Sequence, residues 1–449
     1  MDKEKRDEIV RRVREEEIEY LRILYIDNTG VIRGKMSSTE TIEEDLESGI
    51  TFAACMQSAM GILDAITPGS AFGPVGELKL IPDLETFRVL PYVEKAASVI
   101  GDFYTPDMQV FRADPRPLFK EYLKTIPYKI LAAFENEFYL MKKAEDGSLV
   151  PLDDSLCFAT RGMNTVNDYA VEMKHALATQ GIIVEHYYPE YGPGQQEVTI
   201  KYDEAIRAAD DQIFFRETAR ALAEKRGLVA SFMPKIYNEI PGSGVHVHVS
   251  MWKNGRNLLF DPNDKNGLSK LGYNFLGGLL KHMEALLAFT APTVNSYKRL
   301  LPQNWASAYI CYGFHNREAA CRIPLPIHST EERTTNIEIK PVDGTGNPYL
   351  SLGSIIAAGM DGIDNQIDPG EPVSEDPGSM TEKEREELGI RRYPENLLDA
   401  VRALEKDGFF REVWGDLLID EYIAIKRFEW NSYHSRVSQW ERDTYAQHF

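Results

Sequence analysis

"GSGVHVHVSMW", residues 242–252, alternates apolar and polar side chains with a period of two from Val245 onward. That period belongs to a β-strand, whose successive side chains point to opposite faces of a sheet. Val245, Val247, Val249 and Met251 take one face, and His246, His248 and Ser250 take the other. The chain has only nine histidines, so two on one face of one strand mark a concentration of chemistry. Other strand-like segments carry pairs of the same kind. Glu135 and Glu137 share a face in "FENEFYL" (134–140), as do Glu338 and Lys340 in "NIEIKPV" (336–342). Glu190 and Glu197 flank "YGPGQQ", a turn able to fold both back toward one point.

Any single pair reads most simply as a solvated strand face. Several pairs together need another cause, because buried carboxylates repel one another and lose hydration unless cations compensate. Four or five carboxylates and an imidazole form a ligand set for two or more divalent ions, and oxygen-rich ligation favours Mg²⁺ or Mn²⁺ over zinc. A basic group accompanies them: Lys298, Arg299, Arg317, Arg322, Arg333 and Lys340. Arg322 lies in the apolar run "AACRIPLP", where an unpaired guanidinium is expensive, and guanidinium forks match phosphate and carboxylate oxygens. Carboxylate-bound metal beside arginine is equipment for phosphoryl transfer. The chain has neither GxxxxGK[ST] nor GxGxxG, which disfavours a P-loop or dinucleotide fold.

Bulk properties agree with an ordinary globular protein. The chain has 449 residues, 43% of them hydrophobic and 27% charged, enough for two or three domains with a large core. Fifty basic against seventy acidic side chains leave a net charge of −20, which excludes nucleic acid and anionic membrane as natural partners. Four scattered cysteines without CxxC spacing, and no apolar run of spanning length, predict a cytoplasmic protein.

Along the chain, "YLRILYIDNTGVIRGKMSS" (20–38) predicts a hairpin around Asn-Thr-Gly, followed by a short helix over 42–47 and a Gly/Pro-rich loop over 67–77. Prolines at 106, 115 and 117 suggest a boundary, giving domains 1–108 and 109–449. Beyond it, strands at 129–142, 182–190, 195–203, 245–252, 319–325 and 336–342 alternate with helical patterns at 203–227 and 271–291. The expected class is α+β, with a large curved antiparallel sheet backed by helices.

In order and spacing, "FENEFYL", "EYGPGQQE", "GSGVHVHVS", "NSYKRLLP", "NREAACRIP", "IEIKPVDGTGNPYL" and "EWNSYHSRVSQWERDTY" resemble the glutamine synthetases of prokaryotic type and their glutamate–amine ligase relatives. The resemblance spans nearly the whole chain. It implies a small N-terminal β-grasp domain, a catalytic domain with a funnel-shaped site, and a dodecamer of two hexameric rings. Each site would be completed by a neighbour's N-terminal domain. ATP would phosphorylate the γ-carboxylate of glutamate, and ammonia or an amine would displace phosphate.

Carried over by motif, Glu137, Glu190 and Glu197 resemble ligands of the metal on the acceptor side, and Glu135, His246 and Glu338 ligands of the metal on the ATP phosphates. His248 and Ser250 would contact the nucleotide, with Glu185 near the ribose, Tyr202 near the adenine and Arg333 also on the nucleotide. Arg299 resembles the arginine that binds the α-carboxylate of glutamate. Arg317 and Arg322 would meet phosphate oxygens, and Gly242 belongs to the stretch that admits glutamate.

The departures concern the second substrate. Glutamine-forming members carry Gly-Tyr-Glu-Ala-Pro on a flap, whereas "QNWASAY" (303–309) puts Trp305 where the flap glutamate would be. The family's Phe-Asp-Gly-Ser-Ser motif is replaced by "FAACMQS" (52–58), with Asp64 the nearest substitute acid. Pro241 replaces an asparagine, and Lys340 an arginine near the substrate carboxylate. These changes direct the expectation toward a primary amine as nucleophile. The alternatives are a true glutamine synthetase whose base lies elsewhere, an acid substrate other than glutamate, and a catalytically silent relative with a regulatory or scaffold role.

Overall fold

In a computed structural model, residues 3–449 are described. Two sheets organise them. The first has five strands, β1 (Tyr20–Ile26), β2 (Ile32–Ser38), β3 (Ile50–Ala53), β4 (Glu77–Val89) and β5 (Ala96–Tyr104), in the order β2-β1-β5-β4-β3. β1 and β2 form the expected hairpin, and β1 runs parallel to β5 in the centre, an arrangement of β-grasp type. Helices Lys3–Glu15 and Ile42–Ser48 cover the sheet. Ile9, Val10, Val13, Ile42 and Leu46 join Leu21, Ile23, Leu80 and Phe103 in one core.

The second sheet has twelve strands. Its spine comprises β6 (Lys129–Lys143), β7 (Val184–Pro189), β8 (Gln195–Ile200), β9 (Val245–Lys253), β10 (Tyr309–Phe314), β11 (Ala319–Ile323) and β12 (Ile337–Ile339). They lie in the order β10-β11-β12-β9-β6-β8-β7, with the short strand Arg391–Arg392 beyond β10. The pairings in this spine are antiparallel except β10–β11, which run parallel. His315, at φ 61°, turns the chain so that residues 315–318 return it to the start of the next strand.

The two-residue period of β9 survives folding. Val245, Val247, Val249 and Met251 are buried, while the intervening His246, His248, Ser250 and Trp252 are half-buried on the other face. The buried face packs on helices Ala205–Glu224, Lys270–Thr290 and Pro348–Asp364 in one continuous core. Two of these helices cross at glycines: a Cβ on Gly278 would lie 2.0 Å from the Ala358 carbonyl oxygen, and one on Gly362 2.0 Å from that of Asn274. No described helix is long and apolar enough to cross a membrane.

A buried ionic network joins the two sheets. Arg116, in helix Pro115–Leu123, donates from Nε and Nη2 to Asp210 at 2.9 Å each and from Nη1 to Asp102 at 2.7 Å, and Asp83 lies 3.0 Å from Nη2. Asp83 and Asp102 belong to the first sheet, and Asp210 to a helix behind the second. Removing this guanidinium strands buried carboxylates. Arg116→Met is therefore expected to lower unfolding free energy by about 3–5 kcal/mol, read from the denaturant midpoint at pH 7.

Candidate active site

Register brings the chemistry together. On the open face of the second sheet His246 pairs with Glu135 of β6, His248 with Glu338 of β12, and Glu137 with Glu197 of β8. A ligand atom from each of Glu135, His246 and Glu338 lies within 4.8 Å of the others. His246 Nδ1 is 3.5 Å from Glu135 and 3.4 Å from Glu338, and His246 Nε2 is 3.9 Å from Glu137. His248 Nε2 stands 3.2 Å from Glu135, while its Nδ1 is 2.8 Å from Asn336 Oδ1.

Two carboxylate groups on this face differ in how their charge is met. Burial would raise Glu338, but Lys340, His246, His248 and Arg322 outweigh it and hold the carboxyl below its usual range. Burial likewise opposes ionisation of Glu135, and His248 and His246 reverse the outcome. His248 is itself lowered by burial but carried up to about 9 by Glu135. The other group has weaker compensation: His246 Nε2 stands 3.9 Å from Glu137, and Arg317 acts on Glu190 without an ion pair. Glu190 is pushed up by burial and by Glu137, and Glu197 reaches about 9 through burial, Glu137 and Glu135. Its partners are neutral donors: Gln195 Nε2 and the Gly244 N–H on Glu137, at 3.2 and 2.8 Å, Tyr188 on Glu197, and Cys157 Sγ at 3.4 Å on Glu190.

The donor set fits a hard divalent cation. Glu338 is 1% exposed and ion-paired with Arg322, with Lys340 Nζ 3.7 Å away, yet neither of its oxygens accepts a directed hydrogen bond. A buried carboxylate with open lone pairs beside an imidazole and a second carboxylate is suited to Mg²⁺ or Mn²⁺.

The basic residues are placed unevenly. Arg299 is 4% exposed, donates to the Val342 and Lys340 carbonyls at 3.2 and 3.3 Å, and lies 3.4 Å from His246 Nε2. The glycine stretch makes room for it: a Cβ on Gly244 would sit 2.1 Å from its Nη2, and one on Gly242 2.9 Å from its Cγ. Arg317 is exposed, with its guanidinium 5.8 Å from the centre of the Trp305 ring. Arg317 also lowers the Glu190 pKa, so its charge is felt in the acidic cluster.

Ser250 accepts from Trp252 Nε1 at 3.0 Å. Glu185, Tyr202 and Arg333 are exposed, and Lys201 Nζ lies 6.0 Å from the Tyr202 ring centre. Asp64 is not brought to the cluster of its own chain. It lies in the loop between β3 and β4 at φ 55°, bonded to Arg33 Nη1 at 2.9 Å.

Sequence reasoning passed over Tyr188, Gln195, Asn336, Cys157 and Glu318. The first three had a signal: Tyr188 faces Glu197 across the β7–β8 hairpin, and Gln195 and Asn336 lie two residues before Glu197 and Glu338. Cys157 arrives on a loop with no regular pattern.

Two family models divide the chain between them. "Glutamine synthetase N-terminal domain" matches residues 5–116 and "Glutamine synthetase, catalytic domain" residues 112–445. The chain belongs to the glutamine synthetase family. Glutamine synthetases of Methanosarcina mazei and Thermotoga maritima are 32% and 34% identical to it, covering 98% and 97% of this chain and 97% and 98% of their own. A solved structure of apo GmaS without ligand superposes with a TM-score of 0.86 at 32% identity, covering 98% of this chain and 99% of that one. A GmaS/ADP complex does so with the same score at 31% identity and the same coverage. The chain is accordingly an ATP-dependent ligase that forms carbon–nitrogen bonds, in a family that uses ATP and divalent metal ions and generally forms oligomers.

The raised Glu197 carboxyl yields a signed expectation. Its proton stabilises the metal-free fold fully below the unfolded value near 4.5, and that contribution is lost as pH rises through about 9. A cation ligated by Glu197 displaces that proton. Between pH 6 and 9, apparent Mg²⁺ or Mn²⁺ affinity should rise with pH and up to about one proton should be released per ion. Titration calorimetry in buffers of different ionisation enthalpy measures both.

Proposed function

We propose that this chain joins the γ-carboxylate of glutamate to a primary amine through γ-glutamyl phosphate at the expense of ATP. The observation that carries the reading is Trp305, 65% exposed, at the flap position where an ammonia-using site needs a carboxylate. An indole offers dispersion and cation–π attraction of about 0.5–2 kcal/mol to an alkylammonium group, and it cannot take a proton from ammonium. The GmaS structures support the reading, since GmaS is gamma-glutamylmethylamide synthetase.

In this scheme Arg299, locked to backbone carbonyls beside the glycine stretch, receives the α-carboxylate of glutamate. Arg317 and Arg322 face phosphate oxygens as charge moves toward the leaving group. Glu135, His246 and Glu338 would hold one metal, and Glu137, Glu190 and Glu197 another. Bound Mg²⁺ or Mn²⁺ would neutralise phosphate charge. His248 and Ser250 would add donors on the nucleotide side, while Glu185, Tyr202 and Arg333 would line the approach for ribose and base. Phosphorylation matters because a carboxylate otherwise has only oxide to expel.

Assembly as a dodecamer of two hexameric rings would bring Asp64 of one subunit to the site of another, where it can take the amine proton. Ile62, Leu63 and Ile66 around it are 52%, 46% and 43% exposed, apolar surface that a neighbouring copy would cover. A cytoplasmic location is consistent with the substrates. The second reading, a true glutamine synthetase, is favoured by the names of its relatives, several of them 32–34% identical.

Phosphate release with saturating ATP and glutamate separates the two readings. Methylamine, ethanolamine or a polyamine is expected to exceed ammonia in kcat/KM by at least about tenfold, and Trp305→Glu to narrow that gap by about 10- to 100-fold. Ammonia exceeding every amine in the wild-type enzyme overturns the amine reading.

A further inference from the structure

One carboxylate beside the flap has no role in this scheme. Glu318, half-buried in the turn before β11, accepts the Trp305 backbone N–H on Oε1 at 2.7 Å; burial pushes its carboxyl up, opposed by the backbone N–H groups of Trp305 and Gln303. The turn that carries it is braced. The Glu318 N–H donates to Asn316 Oδ1 at 3.0 Å, and Asn316 Nδ2 donates to the Val373 and Glu375 carbonyls at 2.9 Å each.

What Glu318 holds is unusual backbone. Gln303, Trp305 and Ser307 have φ of 60°, 56° and 64°, a left-handed region that residues bearing a Cβ rarely occupy. Residues 303–305 are exposed, so little packing imposes that conformation. A side-chain oxygen acceptor on a braced turn does. The same turn supplies Arg317, whose guanidinium stands over the Trp305 ring at 5.8 Å. Glu318 also lies within the field of Lys340, and Lys340 in turn lies 3.7 Å from Glu338. The braced turn thus ties the flap backbone through Glu318 and carries Arg317, whose charge reaches Glu190.

We propose that Glu318 is a positioning residue that sets acceptor affinity and selectivity by fixing the flap backbone, so that Trp305 stands at the acceptor entrance. Glu318 itself exchanges no proton with the acceptor, since its carboxylate is engaged by main-chain N–H groups. The inference rests on Trp305 meeting the acceptor, and holds whichever nitrogen compound the enzyme prefers.

Steady-state kinetics of the assembled enzyme with Mg²⁺, ATP and glutamate, using the wild type's preferred acceptor, test it. Glu318→Ala should raise acceptor KM about tenfold while the KM values for glutamate and ATP stay within about twofold. Glu318→Gln, which keeps an oxygen acceptor without the charge, should recover most of the loss. Trp305→Ala should cost far less in the Glu318→Ala background than alone, because the two act on one contact.

An unchanged acceptor KM in Glu318→Ala, or fully additive effects, overturns the proposal. So does a fall of about 10²-fold in kcat in Glu318→Gln with loss of one limb of the pH–rate profile, which would make Glu318 a proton carrier. Melting temperatures monitor folding, and Glu318→Asp replaces the alanine variant should that fail to fold. Failure of the amine reading is visible separately, in a wild-type preference for ammonia, and the KM comparison is then made with ammonia.

Discussion

Negative charge crowded on one face of a sheet is the constraint that shapes this protein. β6, β8, β9 and β12 bury mostly apolar side chains against the helices on one side, with Asn136 and Gln196 the polar exceptions there, and present their acids and imidazoles on the other. There Glu135, Glu137, Glu190, Glu197 and Glu338 meet His246 and His248. The chain supplies most of its own positive charge to one end, through Arg322, Lys340 and His248, and meets the other end mainly with neutral donors. Such a face is stable with protons or with metal, but costly with neither.

Holding that face in shape requires the rest of the molecule. Gly278 and Gly362 let two core helices approach closely enough to support the sheet from behind. Arg116 binds acids of the first sheet and of a helix behind the second, and Asn347 caps helix Pro348–Asp364 while its amide reaches the Asp27 carbonyl at 3.2 Å. Arg216 extends the same junction by donating to the Gly30 carbonyl at 2.9 Å. The first sheet is thereby seated against its own catalytic body, with Asp64 and its apolar neighbours left facing outward.

The nitrogen side of the reaction is where this member departs from a glutamine-forming pattern. Trp305 stands where the resemblance puts a flap carboxylate, and the acid at 318 accepts the Trp305 backbone N–H. Glu318 accepts a backbone hydrogen bond and so contributes to the shape of the flap. There an exposed indole stands beside an exposed guanidinium.

Periodicity alone determined much of this protein. The hairpin at 20–38, the strands carrying Glu135, His246 and Glu338, and the helices near 203–227 and 271–291 were legible because a half-buried element writes its two environments into alternating residues. β10 left no such mark, since five consecutive residues, Tyr309–Gly313, are all buried. Its parallel pairing with β11 depends on the His315 turn and has no sequence signature. Only the tertiary structure decided which cations reach which carboxylates, that Asp64 pairs with Arg33 of its own chain, and that Glu318 holds the flap. Those facts depend on distances between residues far apart in the chain, and a local pattern of burial carries no record of such distances.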